Sequence, residues 1–177
     1  MRSGIALLSA AALTAGSGIA RADSDAQRQA GDALATAMPL ATLGVELWRE
    51  EYTGAKQFAA SFVVTVAATE VLKRTTHIER PDGSNDESFP SGHAARAFAS
   101  ATYVHRRYGF GDAWPLYLMA TYVGYTRVAS DRHRWSDVAG AAGVAALSSW
   151  WLVDPKQGVG VSLGRRSIAL TWSTPLP

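Results

Sequence analysis

The sequence predicts a helical protein with a short β-hairpin at its C-terminus. Three observations lead there. Five segments repeat apolar residues every three or four positions, the period of a helix. Between them lie stretches rich in Pro, Gly and charge. Beyond Pro155 the period changes to two, the period of a strand.

The elements follow in order. Residues 1–22 read as an export signal. Arg2 gives a positive start, Ile5 to Ala15 is apolar, and Ala20-Arg21-Ala22 fits a small-x-small cleavage site. The stretch is too short to span a bilayer comfortably, so cleavage is favoured over a retained anchor. The expected product is a single exported, periplasmic domain, residues 23–177. The chain has 17 Lys+Arg and 15 Asp+Glu. Loss of Arg2 and Arg21, with no acid, leaves it balanced, so nothing in the overall charge points to a nucleic-acid partner and none is expected. With no Cys in 177 residues, disulfides and lipoprotein attachment are excluded.

Asp23 to Gln29 is a polar lead-in. Ala33 to Trp48 has helical spacing with Pro39 inside it, where a kink or break is expected. Gln57 to Lys73 reads as a mostly buried helix, and Arg74 to Ser91, with Pro81, Gly83 and Pro90, as a loop. Ala94 to Tyr108 is Ala-rich and helical, ending at Gly109. Ala113 to Tyr125 follows, with Pro115 in its first turn, where proline is tolerated. Thr126 to Trp135 is charged and irregular. Ser136 is the expected N-cap of a helix running to about Val153, stopped by Asp154-Pro155. In the tail, Val159, Val161 and Leu163, then Ile168, Leu170 and Trp172, alternate with small or polar residues, predicting a hairpin over about 158–174. The longest apolar runs, 58–72 and 138–153, are interrupted by hydroxyls and do not reach the roughly 18 unbroken residues of a membrane span. A soluble protein touching a membrane peripherally fits this pattern.

Three junctions carry chemistry. Lys73 ends one helix and Arg80-Pro81 follows. Pro90-Ser91-Gly92-His93 opens the next. Arg127, His133 and Asp137 lie around the start of the last. Each alone has an ordinary reading: a dipole-complementing lysine, a solvated arginine, a capping serine, a first-turn acid. Together they form an anion site. A helix N-terminus offers free N–H groups, Gly92 admits close approach, and Ser91 adds a hydroxyl. Lys73, Arg80 and Arg127 match phosphate oxygens. His93 can deliver a proton, and Asp137, four residues after His133, can orient its ring.

This pattern resembles the type 2 phosphatidic acid phosphatase family, which shares its fold with bacterial nonspecific acid phosphatases and vanadium haloperoxidases. The family pattern of Lys, six residues, Arg-Pro is matched by Lys73, Arg80 and Pro81. Pro-Ser-Gly-His is matched by residues 90–93. Ser-Arg, five residues, His, three residues, Asp is matched by Arg127, His133 and Asp137, with Thr126 in place of serine. The resemblance covers roughly 57–153. It implies an all-α bundle with the three motifs converging at one end. It implies His133 as nucleophile forming a phosphohistidine, Asp137 holding its ring, and His93 as acid and then base. Lys73, Arg80, Ser91, Gly92 and Arg127 are the implied phosphate binders, and no metal or cofactor is implied. The expected partner is a phosphorylated small molecule or lipid: a lipid phosphate, a prenyl diphosphate or a soluble monoester. A short link, "DGSNDESF", places Asp82, Asp86 and Glu87 near the expected entrance.

Two rival functions are carried. A vanadate-dependent haloperoxidase would use the same cage, though on a longer chain. A non-catalytic lipid-phosphate binder would not need the His133, Asp137 and His93 set. His77 is read as a solvated loop residue and His105 as a cation suited to a helix C-terminus. Arg132 and Arg134 are read as substrate contacts or surface ion pairs. Trp135, Trp150 and Trp151 are read as core or membrane-interface residues.

Overall fold

Helix geometry dominates the chain. The computed structural model describes residues 3–156, 158–164 and 167–173, with side chains described for 25–156. Five helices run in order: α1 (Ser3–Trp48), α2 (Tyr52–Thr76), α3 (Gly92–Tyr108), α4 (Phe110–Ala129) and α5 (Trp135–Leu152). Two strands, β1 (Gly158–Gly164) and β2 (Ser167–Ser173), follow and pair antiparallel, with Val161 opposite Leu170. The fold class rests on the helices. The hairpin's side chains lie outside the described residues, and it contributes nothing to that assignment.

Several boundaries differ from those expected. α1 runs through the polar lead-in and passes Pro39 without a break. Ala, Gln and Arg around residues 26–30 are strong helix formers, which favours continuation. α4 starts earlier than expected, so Pro115 is its sixth residue, beyond the first turn. The cause is Gly109, which ends α3 and caps α4 at once with φ 99°, a conformation that favours glycine. α4 also continues to Ala129, so Thr126 and Arg127 sit in its last turn rather than in an irregular segment. At α5, Arg134 is the N-cap, not Ser136. Asp137, three residues on, accepts the Arg134 backbone N–H at 2.8 Å and does the capping itself.

α3 is the central helix. Ala94, Ala95, Ala97, Phe98, Ala99, Ser100, Ala101, Thr102 and Tyr103 are all buried, and α1, α2, α4 and α5 pack around it. Its alanines let the neighbours approach closely. One core cluster joins Ala35 and Met38 of α1 to Val123 of α4 and Val138, Ala141 and Ala145 of α5. A second gathers Phe58, Tyr103 and Val153, with the Phe58 and Tyr103 rings 5.0 Å apart.

Hydrophobic residues are distributed unlike those of a water-exposed helix. The buried stripe of α2 is Phe58, Ser61, Thr65, Thr69 and Lys73, spaced by three and four. Val63, Val64 and Val71 of the same helix face outward. α5 repeats this: Ala141, Ala145, Ser148 and Ser149 are buried, while Leu147, Trp150 and Trp151 are exposed. Trp135, Trp150 and Trp151 are therefore not core residues. By length and composition α2 could cross a membrane.

The bundle places the C-terminal ends of α2 and α4 beside the N-terminal ends of α3 and α5. Lys73, His93, Arg127 and His133 consequently line one cavity. At the opposite end, buried Arg107 donates to Glu51 Oε2 at 3.1 Å and Gln57 Oε1 at 3.2 Å, tying α3 to the start of α2.

Candidate active site

The site is built by helix ends and the 77–91 loop. The α2 stripe aims Lys73 inward, where it is 6% exposed and its Nζ donates to the Glu87 carbonyl at 3.0 Å. The loop is held by Ser88 N–H to the Ile78 carbonyl (2.8 Å), and by Asp82 N–H to the Asp131 carbonyl (3.1 Å) in the segment after α4. Arg80 is half-buried, and its Nε has no hydrogen-bond partner among the described residues. Arg127 is buried in the last turn of α4. Its carbonyl accepts the N–H groups of Arg132 and His133, so this turn also shapes the backbone that carries His133.

A cavity of about 210 Å³ results, lined by Glu70, Lys73, Arg80, Gly92, His93, Arg96, Arg127, Arg132 and His133. Six of the eight residues expected at the site, Lys73, Arg80, Gly92, His93, Arg127 and His133, line this space; Asp137, beside His133, and Ser91, next to Gly92, are buried and adjoin it without being part of the lining. Ser91 was expected as a capping hydroxyl. It is the N-cap of α3 but makes no side-chain capping bond. Its Oγ is fully buried and unpartnered among the described residues. A buried hydroxyl without a partner costs about 1–3 kcal/mol, so a ligand oxygen that satisfied it would bind with that advantage. At Gly92, a side chain would meet nothing nearer than Lys73 Cε at 3.7 Å. Packing does not demand glycine there; the open space is the cavity itself.

His133 is 4% exposed. Its Nδ1 lies 2.8 Å from the Ser88 carbonyl and 3.5 Å from Asp137 Oδ2. A carbonyl can only accept, so Nδ1 carries the proton, and the unprotonated Nε2 on the far side of the ring faces the cavity. Asp137 is thus not the nearest partner of the ring, contrary to the expectation. Its Oδ2 accepts from Ser88 Oγ at 2.6 Å and from the Arg134 N–H at 2.8 Å. Ser88, which the motif spacing did not single out, serves both partners: its carbonyl takes the ring proton and its hydroxyl holds the carboxylate. Nothing in its position in the sequence, two residues before a proline in a polar loop, distinguishes it from a surface serine.

Electrostatics follow from these contacts. Burial, then Arg80 and Lys73, push His133 down to about 4, against the Ser88 carbonyl and Asp137. Burial works against the ionised form of Asp137, yet the bonds from Ser88 and the Arg134 N–H hold it below the ordinary carboxylate range. Burial and Arg127 push His93 below its ordinary value, opposed by Asp32. His133 is therefore neutral, and Asp137 charged, over most of the pH range.

A second residue that sequence reasoning missed is Asp32 on α1. Its Oδ1 lies 2.7 Å from Arg127 Nη1 and 3.0 Å from His93 Nε2. Arg127 Nη2 also donates to the Arg28 carbonyl at 2.7 Å. Arg132 makes the ion pair named as one alternative, with Asp82 at 3.0 Å, and also lines the cavity. Arg134 donates to the Glu79 carbonyl. His77 is an exposed residue paired with Asp86, and His105 bonds the Tyr117 hydroxyl at 3.0 Å.

The family model of the PAP2 superfamily matches residues 54–157, and the chain belongs to that superfamily. It is similar to a lipid A 1-phosphatase of Porphyromonas gingivalis, 41% identical over 81 residues, 42% of this chain and 18% of that protein. It is also similar to a lipid A 4'-phosphatase of Helicobacter pylori, 28% identical over 124 residues, 64% of this chain and 61% of that protein. The chain thus spans less than two thirds of the length of either relative. A crystal structure of Aquifex aeolicus LpxE shares the fold, with a TM-score of 0.61 at 20% identity over 71% of this chain and 82% of that one.

Proposed function

We propose that the protein is a metal-independent phosphatase that removes phosphate from a lipid phosphate ester through a phosphohistidine on His133. One observation carries this: a buried, neutral imidazole with its Nδ1 fixed, facing a cavity lined by Lys73, Arg80, Arg96, Arg127 and Arg132. Five cations around about 210 Å³ suit a phosphoryl group and little else. The similarity to two lipid A phosphatases supports the reaction class.

In the first step His133 Nε2 attacks phosphorus, the bond from phosphorus to the ester oxygen breaks, and His93 gives that oxygen its proton. The equatorial oxygens rest on Lys73, Arg80, Arg127, the Gly92 N–H and the Ser91 hydroxyl. Asp137, 3.5 Å from the ring, offsets the positive charge that forms there. In the second step His93 takes a proton from water, the water oxygen bonds to phosphorus, and the N–P bond breaks. Inorganic phosphate leaves and His133 returns to its starting form.

The outward apolar residues support a lipid substrate over a soluble monoester. Hydroxyls and alanines face inward on α2 and α5 while valines, leucines and tryptophans face outward. That is the arrangement of helices solvated by lipid, with tryptophans suited to its interface. A groove of about 460 Å³ between α1 and α2, lined by Leu40, Leu43, Phe62 and Val63 among others, shares Arg96 with the catalytic cavity. It offers an apolar path for an acyl chain leading to the phosphate. Residues 1–22 are proposed to direct export, placing the enzyme in the periplasm in contact with a membrane.

Full-length protein in detergent, assayed with a lipid A phosphate, a prenyl diphosphate and a soluble monoester, tests this reading. Phosphate release from the lipid substrates, retained in chelator and blocked by vanadate, is expected. Turnover of the monoester alone would defeat the lipid assignment, and bromide oxidation with vanadate and peroxide would favour the haloperoxidase rival.

A further inference from the structure

Asp32 has no place in the three motifs, yet it sits at the centre of the charges they bring together. One carboxylate oxygen bridges Arg127 and His93 at 2.7 and 3.0 Å, distances typical of charge-assisted hydrogen bonds. Both contacts belong to groups assigned above to the substrate: Arg127 to the phosphoryl oxygens, His93 to the leaving oxygen. The bond to Asp32 uses His93 Nε2, so the ring offers no proton from that nitrogen while Asp32 holds it.

The placement is built into the helix packing. Gly31 precedes Asp32, and a Cβ at Gly31 would lie 2.1 Å from Thr126 Oγ1 and 2.8 Å from Arg127 Nη2. Only a residue without a side chain lets α1 lie this close to the last turn of α4. Asp32 itself is half-exposed, at 47%, so an arriving ligand can reach and displace it.

We propose that Asp32 is an affinity-setting residue of the phosphate site, a resident carboxylate that occupies the Arg127–His93 position until a phosphate displaces it. This rests on the assignment of the cavity as the phosphate site. A carboxylate carries one charge and the phosphate dianion two, so the dianion wins the cations while singly charged anions compete poorly. After turnover the carboxylate returns to Arg127 and helps expel the product. Asp32 therefore selects for dianionic phosphate and limits product inhibition. The charged groups that bear on His93 are Arg127 on α4, Asp32 on α1, Lys73 on α2 and Arg96 on its own helix, and Asp32 is the one that favours its protonation.

The test is calorimetric titration of the full-length chain with inorganic phosphate and with orthovanadate. Asp32→Asn keeps the shape and removes the charge. It is expected to lower the Kd of both anions ten-fold or more, and to move the alkaline limb of the kcat/KM profile to lower pH. Asp32→Glu, which restores a carboxylate, should return affinity toward that of the unchanged protein. Asp32→Ala, which removes the carboxylate and leaves Gly31 and Arg127 as they are, should tighten phosphate in the same direction. It provides the reading if Asp32→Asn does not fold. Tightening of less than five-fold, or weaker binding with a lowered Tm, would mean that Asp32 only ties α1 to α4, and would overturn the proposal. Arg80→Ala and Arg127→Ala separate the two claims. If they leave phosphate binding intact, the site assignment fails and this proposal with it. If they abolish binding while Asp32→Asn does not tighten it, the site stands and the role of Asp32 falls.

Discussion

Replacing Asp137 with Asn separates two jobs that a carboxylate beside a histidine can do: fixing the ring's proton and balancing its charge. The structure assigns the first mainly to the Ser88 carbonyl, 2.8 Å from Nδ1, leaving Asp137 at 3.5 Å for the second. Two unit charges 3.5 Å apart interact by roughly 5 kcal/mol at an effective dielectric of about 20. Only part of the ring's charge exists in the transition state, so the loss on neutralising Asp137 is about 2–3 kcal/mol, or about 30- to 150-fold in kcat. KM should change little, because the cations that hold the phosphate are untouched. The amide can still turn its oxygen toward the Arg134 N–H and Ser88 hydroxyl, so the capping of α5 is largely kept. The assay is steady-state hydrolysis of a lipid phosphate, with single-turnover trapping of the phosphoenzyme. A loss below five-fold would show that Asp137 is only a helix cap. A loss beyond about 10⁴-fold is what a wrong tautomer costs, and would show that Ser88 does not hold the proton.

Activity should be confined to mildly acid pH in kcat/KM. His133 must be neutral, so activity is lost as pH falls through about 4; His93 must be protonated, so activity is lost again as pH rises through a value below the ordinary 6.5, and a pH–rate profile reads both limbs. The same depression of His133 makes the folded state resist protonation, so its contribution is complete above pH 6.5 and shrinks as pH falls to about 4, by roughly 3 kcal/mol in chemical denaturation. Gly140→Ala should cost about 1–3 kcal/mol of stability and also slow catalysis, because a Cβ there would lie 2.3 Å from the ring of Phe89, which adjoins Ser88; intact kcat in a destabilised variant would refute the link. Arg107→Ala should destabilise by about 1.5–3 kcal/mol without changing the pH profile, since it removes the bonds to Gln57 and Glu51 far from the cavity while Lys156 still pairs with Glu51, and thermal melts with activity assays check this.

Helices were legible where their period and breakers agree, and the three motifs were legible because each lies at a helix junction with fixed internal spacing. What stayed hidden depends on contacts distant in sequence. Asp32 meets Arg127 across 95 residues, and only the packing of Gly31 on Thr126 brings them together. Ser88 acts on His133 through its backbone carbonyl, and every residue has one. The α5 cap moved from Ser136 to Arg134 because Asp137 reaches back, a choice between neighbouring polar residues that local propensity does not resolve. The outward apolar faces of α2 and α5 were obscured for a related reason. The hydroxyls that interrupt the apolar runs, Ser61, Thr65 and Thr69 on α2 and Ser148 and Ser149 on α5, point inward. Counting unbroken apolar runs treats them as interruptions of an outward apolar surface to which they do not belong.

The central claim is that His133 Nε2 carries the phosphoryl group. Rapid quenching of the full-length enzyme with phosphate-labelled substrate, followed by peptide mapping under alkaline conditions that preserve phosphohistidine, tests it directly. The account predicts label on the peptide containing His133, absent from His133→Ala and accumulating in His93→Ala with a good leaving group such as nitrophenol. Label on Ser91 or His93, or full turnover by His133→Ala, would contradict it.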